Sequence, residues 1–322
     1  MSIRYRQSSP LRLLLLFCVS LCLLPAQAAN DRAFFWRVAP DDVAGSRATV
    51  YLMGSIHFAD KSFYPLRQEI ERAYDSSDAL VVELDIDEAD HLAYNQMLAD
   101  RGVFKGGRTI KDVISDETWR VLRKRLQQLN VSYDVVKSYK PGVLVLMLSS
   151  LQVMGMGFDP ELGIDAHFLA KAKHRVESEQ DENHQHGVKQ KKPLKRVIEL
   201  ETLEQQVNLF LDMPDGDLLL KESLHTFEES ESLMADMVRY WKAGDEEQIS
   251  RLLFEDALLD YPAFSSIYEQ LFFRRNLRMT AKIEEMLRSQ EVYFVVVGSG
   301  HLVGDKGIVK SLREKGYQVT RL

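Results

Sequence analysis

Apolar runs bounded by glycine and polar residues set the rhythm of this chain. Two of them close on the same phrase. One is Tyr51-Leu52-Met53-Gly54-Ser55-Ile56-His57, and the other is Val295-Val296-Val297-Gly298-Ser299-Gly300-His301. An apolar run of this length ending at Gly predicts a buried strand. Gly at the strand end lets the backbone turn or approach a neighbour closely. Each His is then expected on a loop at the carboxyl edge of a sheet, where open α/β sheets collect ligands. Gly and Ser are also ordinary turn residues, so one copy alone says little. Two copies far apart suggest two equivalent strand ends that aim imidazoles into one cleft.

The rest of the pattern builds around these strands. Residues 33–38 and 48–53 predict a strand pair across a polar turn that holds Asp41, Asp42 and Gly45. Pro65 suits the first turn of a helix carried by Leu66, Ile70 and Ala73. Residues 79–84 are nearly all apolar, as a central parallel strand requires, and complete a βαβ unit. Residues 87–138 have helical spacing. The very apolar stretch 143–154 follows Pro141-Gly142, is too short for a bilayer span and reads as a core helix, with Met147, Met154 and Met156 as packing residues. Gly163-Ile164-Asp165 opens a further helix, where Asp165 favours the helix dipole or faces the cleft. Residues 171–193 are charge-dense and read as a flexible surface loop, with His174, His184 and His186 as solvated side chains. Residues 196–200 form the next strand, and residues 203–290 are helical, with breaks at Pro214-Asp215-Gly216 and Gly244-Asp245. Strand 292–297, helix 307–315 with Gly316 as its stop, and strand 317–321 close the chain.

This alternation predicts an α/β fold with a central mixed, mostly parallel sheet and a large helical insertion. The acid-bearing strands echo each other as Val81-Val82-Glu83-Leu84-Asp85 and Val197-Ile198-Glu199-Leu200-Glu201. Each half of the chain thus holds one histidine phrase and one acid strand, a candidate two-half pseudo-repeat.

Composition narrows the setting. Arg4, Arg6 and Arg12 precede the apolar run 13–24, and Ala26-Gln27-Ala28 is a small-x-small cleavage site. Residues 1–28 therefore read as a secretory signal peptide, with residues 29–322 as one domain that is periplasmic or secreted and has no stable membrane span after cleavage. Both cysteines, Cys18 and Cys22, fall inside that segment, so the mature chain has no disulfide, thiolate ligand or cysteine nucleophile. Removing three Arg and no acid takes the net charge from −7 to −10. Such an acidic protein is poorly suited to nucleic acid.

Glu83 stands within an apolar strand, where an ionised carboxylate needs a partner or a cation. Arg274-Arg275-Asn276 lies on a predicted helix; paired Arg are commonly a solvated face, yet Arg also clamps carboxylates bidentately. There is no Gly-x-Ser-x-Gly, His-Glu-x-x-His or P-loop.

Taken in order, the phrases at 51–57, 80–85, 163–165, 199–202, 275–276 and 297–301 resemble the TraB/GumN family, which includes the pheromone-shutdown proteins and the animal Tiki proteins. Ser55 stands where that family more often has Thr. The resemblance implies an α/β core with helical insertions, similar to the erythromycin-esterase and ChaN-like folds. For the Tiki branch it implies a metal-dependent protease, with His57, His301 and Glu83 as the corresponding metal-site residues. On that footing a divalent ion such as Mn²⁺, Co²⁺ or Zn²⁺ suits the nitrogen and oxygen ligands. Its open position would activate water against a peptide or small-molecule substrate. Arg275 or Asn276 is the candidate oxyanion stabiliser, and Glu201 the candidate general base or further ligand. Gly54, Ser55, Gly298, Ser299 and Asp165 are expected to shape the ligand-binding edge. The alternative is a protein that sequesters a peptide or small ligand in the same cleft without chemistry.

Overall fold

The computed structural model describes residues 31–41, 48–85, 88–173, 195–226, 230–260 and 262–322. The predicted signal peptide and the histidines of the polar stretch lie outside the described residues, while residues 171–173 finish a helix.

Six strands form one sheet: β1 (Phe35–Ala39), β2 (Thr49–Ser55), β3 (Ala79–Val82), β4 (Arg196–Glu199), β5 (Val292–Gly298) and β6 (Gln318–Arg321), in the order β4-β3-β5-β2-β1-β6. The first four of that order are mutually parallel. β1 alone runs the other way, antiparallel to β2 and β6. This is the mixed, mostly parallel sheet that the apolar runs predict. β3 is buried at every position and β5 at all but its ends, as expected of strands covered on both faces.

The covering helices show why. Gln68–Ser76 buries Ile70, Ala73 and Tyr74, and Arg274–Leu287 buries Met279, Ile283 and Leu287 at helical spacing. Phe294 of β5 sits at the centre, its ring centroid 4.7 Å from that of Phe168 and 5.6 Å from that of Tyr74. Helices fill the connection from β3 to β4 and again that from β4 to β5. Among the described residues no helix is long and apolar enough to cross a membrane.

Three local expectations shift. The first helix begins at Gln68, and Pro65 lies ahead of it in a cis Tyr64–Pro65 peptide. β5 lies between β2 and β3, so the βαβ crossover skips a position that the end of the chain later fills. The apolar helix Pro141–Gly155 buries Val143, Leu144, Val145 and Leu148 but leaves Leu151 and Met154 exposed. Packing therefore accounts for the start of that helix and not for Met154.

Candidate functional site

Because β2 and β5 are hydrogen-bonded neighbours, the two histidine phrases end side by side. Ser55 lies in register with Gly298, so the copies are offset by one residue. The Ser299 hydroxyl donates to the Ser55 carbonyl at 2.9 Å and ties the phrases together. Gly54 answers to close packing, since a Cβ there would meet Phe34 Cβ at 2.6 Å and Ser299 Oγ at 2.8 Å.

Gly298 has a different role. A Cβ added to it would lie 3.4 Å from Glu83 Oε1, 3.5 Å from His301 Cδ2 and 3.6 Å from His57 Nε2. Two imidazoles from opposite ends of the chain and the strand glutamate thus surround one point. His57 sits on the loop after β2 with its side chain 54% exposed. His301 is buried in the short helical turn Ser299–Leu302 rather than on a loop. Glu83 is buried just past the end of β3.

Each group is held from behind. Asn276 Nδ2 donates to the Lys306 carbonyl at 2.8 Å, which turns the amide oxygen toward His301 Nδ1 at 2.6 Å. His301 Nδ1 therefore carries the hydrogen, and Nε2 presents a lone pair 3.8 Å from Glu83 Oε1. His57 Nδ1 lies 3.2 Å from Asp165 Oδ2, and the Ser55 hydroxyl donates to Asp165 Oδ1 at 2.7 Å. Glu83 Oε1 accepts the Gly298 N–H at 2.6 Å, and Oε2 accepts from Arg275 at 2.6 Å. Arg275 also donates to both oxygens of Glu201 and to the Leu271 carbonyl. Gln206 donates to Glu201 at 3.2 Å.

The charges follow from this geometry. Burial pushes the Glu83 carboxyl up, but His301, Arg275, His57 and the Gly298 N–H outweigh it and hold it at about 2. Burial lowers His301 to about 4, against the pull of Glu83. The Asp165 carboxylate beside its Nδ1 raises His57 to about 9. Near neutral pH the site thus holds an ionised Glu83, a neutral His301 and a protonated His57.

The candidate site residues His57, Glu83, Asp165, Glu201, Arg275, Asn276, Gly298 and His301 fall at this edge of the sheet, with their contacts divided. Gly298, His57, His301 and Glu83 share the central point. Asp165, Asn276 and Arg275 grip the three side chains from outside. Glu201 faces Arg275, while Glu199, its neighbour in the sequence echo, instead accepts the Asp85 N–H. The Lys306 and Leu271 carbonyls complete the support; being backbone groups, they leave no mark in the sequence.

The donor chemistry suits a divalent ion. Both histidines have their Nδ1 pinned by a carboxylate or an amide oxygen, the arrangement that orients metal-ligating imidazoles. At His301 a lone pair faces the Glu83 carboxylate across 3.8 Å, which sets a nitrogen and an oxygen donor toward one point. The groups are neighbours rather than a closed cage: among the described residues no three His, Cys, Asp or Glu side chains form a ready-made metal cluster.

Fold and site together define a class: α/β proteins in which twin parallel strand ends deliver two histidines to a buried glutamate. The chain belongs to the TraB/PrgY/gumN family, whose pattern matches residues 34–178 and 186–321. The first segment holds one histidine phrase and Glu83, and the second holds Glu201 and the other phrase, in keeping with a two-half repeat. The chain is 26% identical to Escherichia coli (strain K12) "Uncharacterized protein YbaP", covering 89% of this chain and 96% of that one. It is 20% identical to Xenopus tropicalis "Metalloprotease TIKI2", covering 92% of this chain and 61% of that one. A shorter match, 36% identical over 83 residues, covers 25% of this chain and 14% of an Amphimedon queenslandica "Metalloprotease TIKI homolog". No solved structure matches.

Proposed function

We propose that this protein is an exported metal-dependent hydrolase that acts on peptides. One observation carries the reading: the lone pair of His301 Nε2 faces the ionised Glu83 Oε1, with His57 Nε2 beside the same glycine. An imidazole lone pair and a carboxylate oxygen that face each other are the nitrogen and oxygen donors that a divalent ion takes. The names of the two distant Tiki relatives support the same chemistry. Export rests on the signal-like residues 1–28.

His57 Nε2, His301 Nε2 and Glu83 Oε1 would hold the ion, with His57 giving up its Nε2 proton on binding. A bound Mn²⁺, Co²⁺ or Zn²⁺ would supply Lewis acidity and lower the pKa of a water. The chain's own contribution is orientation. Asn276 fixes the tautomer of His301, and Asp165 aims His57. Arg275, itself fixed by Glu201, occupies one oxygen of Glu83 and leaves the other facing the centre. Gly298 leaves the space clear. His57 is the exposed member, so substrate would approach from its side. Arg275 acts here as a positioning residue, because its donors are committed to Glu83, Glu201 and Leu271.

The test is elemental analysis of the purified protein, paired with hydrolysis of a peptide library with and without added Mn²⁺ and with chelator. The expected result is a bound divalent ion and cleavage that chelator abolishes. A protein that takes up no ion, or cleaves equally well in chelator, would overturn the reading. Metal uptake without turnover of any peptide would leave a ligand-sequestering protein.

A further inference from the structure

Along the turn that follows His301, residues Val303 to Lys306 help to line a cavity of about 510 Å³. That volume is within the range of small-molecule sites. Phe254, Leu258, Phe273 and Val303 supply its apolar wall. Two π-helical turns, Arg251–Glu255 and Glu269–Phe273, contribute to it, and such turns recur at functional sites. Its charged lining is Glu255, Glu269, Asp305 and Lys306; Lys310 pairs with Asp305 at 2.6 Å and Lys306 with Glu269, which leaves the charge of Glu255 in excess.

The protein itself displays the group that this lining recognises. Lys306 Nζ lies 4.3 Å from the centroid of the Phe273 ring and 3.1 Å from Glu269 Oε2. An ammonium on an aromatic face beside a carboxylate is a cation-recognition arrangement. The Lys306 side chain is 60% exposed, so it can leave for solvent when another cation arrives. Its backbone carbonyl, meanwhile, holds Asn276, which holds His301. Val303 follows His301 by two residues, and Gly304, at φ +81°, makes the turn that leads to Lys306.

We propose that this cavity is a second ligand site, one that takes a small apolar organic cation, and that its occupancy is felt at His301 through Lys306 and Asn276. The apolar body of the ligand packs on Phe254 and Leu258, and its ammonium replaces that of Lys306 between Phe273 and Glu269. The binding site does not depend on the hydrolase reading.

The test titrates phenethylammonium into the purified, metal-stripped protein by calorimetry, with 2-phenylethanol and 3-phenylpropionate as neutral and anionic comparators. Saturable binding of the ammonium is expected, with the alcohol about tenfold weaker and the carboxylate weaker still. Ser266→Trp places an indole at the exposed rim and should abolish uptake while leaving the unfolding curve unchanged. Glu269→Gln should remove the preference for the cation over the alcohol. The His301 ring resonances should move on saturation in the wild type and stay still in Ser266→Trp. No saturable uptake of the ammonium, equal affinity for the carboxylate, or unchanged uptake by folded Ser266→Trp would overturn the site. A saturated cavity with unmoved His301 resonances would overturn the coupling. Because the protein is metal-free, none of these failures bears on peptide hydrolysis.

Discussion

Replacing Arg275 with Met tests the logic of the buried charges directly. Arg275 is 8% exposed, Glu83 7% and Glu201 3%, so solvent cannot take over for the guanidinium. Its Nη2 lies 2.6 Å from both Glu83 Oε2 and Glu201 Oε2, and its Nε lies 2.9 Å from Glu201 Oε1. Met keeps the aliphatic stem and leaves two carboxylates buried, one holding the Gly298 N–H and the other Gln206 and, at 3.8 Å, the exposed Arg278. Breaking a buried pair in this way costs about 3–5 kcal/mol, a large part of the roughly 5–15 kcal/mol that holds a domain together. Urea unfolding at pH 7 should register that loss as a lower midpoint with an unchanged slope. Adding Glu201→Gln removes one stranded charge, so the double variant should recover about 1–3 kcal/mol relative to additivity. Arg275→Lys should rescue little, because a single ammonium cannot span both carboxylates. An Arg275→Met protein within about 1 kcal/mol of wild type, or strict additivity in the double variant, would refute the claim that this guanidinium organises the site.

Gly298→Ala puts a methyl at ordinary contact distance from Glu83, His301 and His57, so stability should change by less than about 1 kcal/mol while metal uptake, measured by elemental analysis, is lost. Asn276→Leu removes the acceptor for His301 Nδ1 and should weaken metal affinity by about tenfold to a hundredfold in competition with a chelator. Because His301 is held at about 4, the unfolded chain binds the extra proton between that pH and 6.5; stability should rise with pH through this window by about 3 kcal/mol, and a His301→Gln variant should lose the slope in acid unfolding curves. His57 has the opposite sign: raised to about 9, it stabilises fully below 6.5, and that contribution fades as pH rises through 9, so His57→Gln should flatten the alkaline limb.

How far this could be read in advance depends on the range of the physics involved. Strand ends, glycine turns and helix breaks are local, and β2, β3 and β5 appear where their apolar runs place them. The candidate residues were legible for the same reason: Glu83 stands out in an apolar strand, and the two His phrases repeat. The partner choices were not legible. The echo paired Glu83 with Glu199, yet the chain leaving β4 brings Glu201 to Arg275 and leaves Glu199 on the Asp85 N–H. Arg275 and Asn276 pointed toward a substrate oxyanion in the sequence, whereas packing turned one to the carboxylates and the other to His301.

The sequence by itself thus determined the mostly parallel sheet and the residue types at its carboxyl edge, because backbone propensity and apolar periodicity act over a few residues. Only the tertiary structure decided that β5 slots between β2 and β3, and so that His57 and His301 meet at Gly298. Strand order is set by contacts between segments hundreds of residues apart, and hydrogen-bond partners are chosen by whichever buried donor lies within reach once those segments have packed.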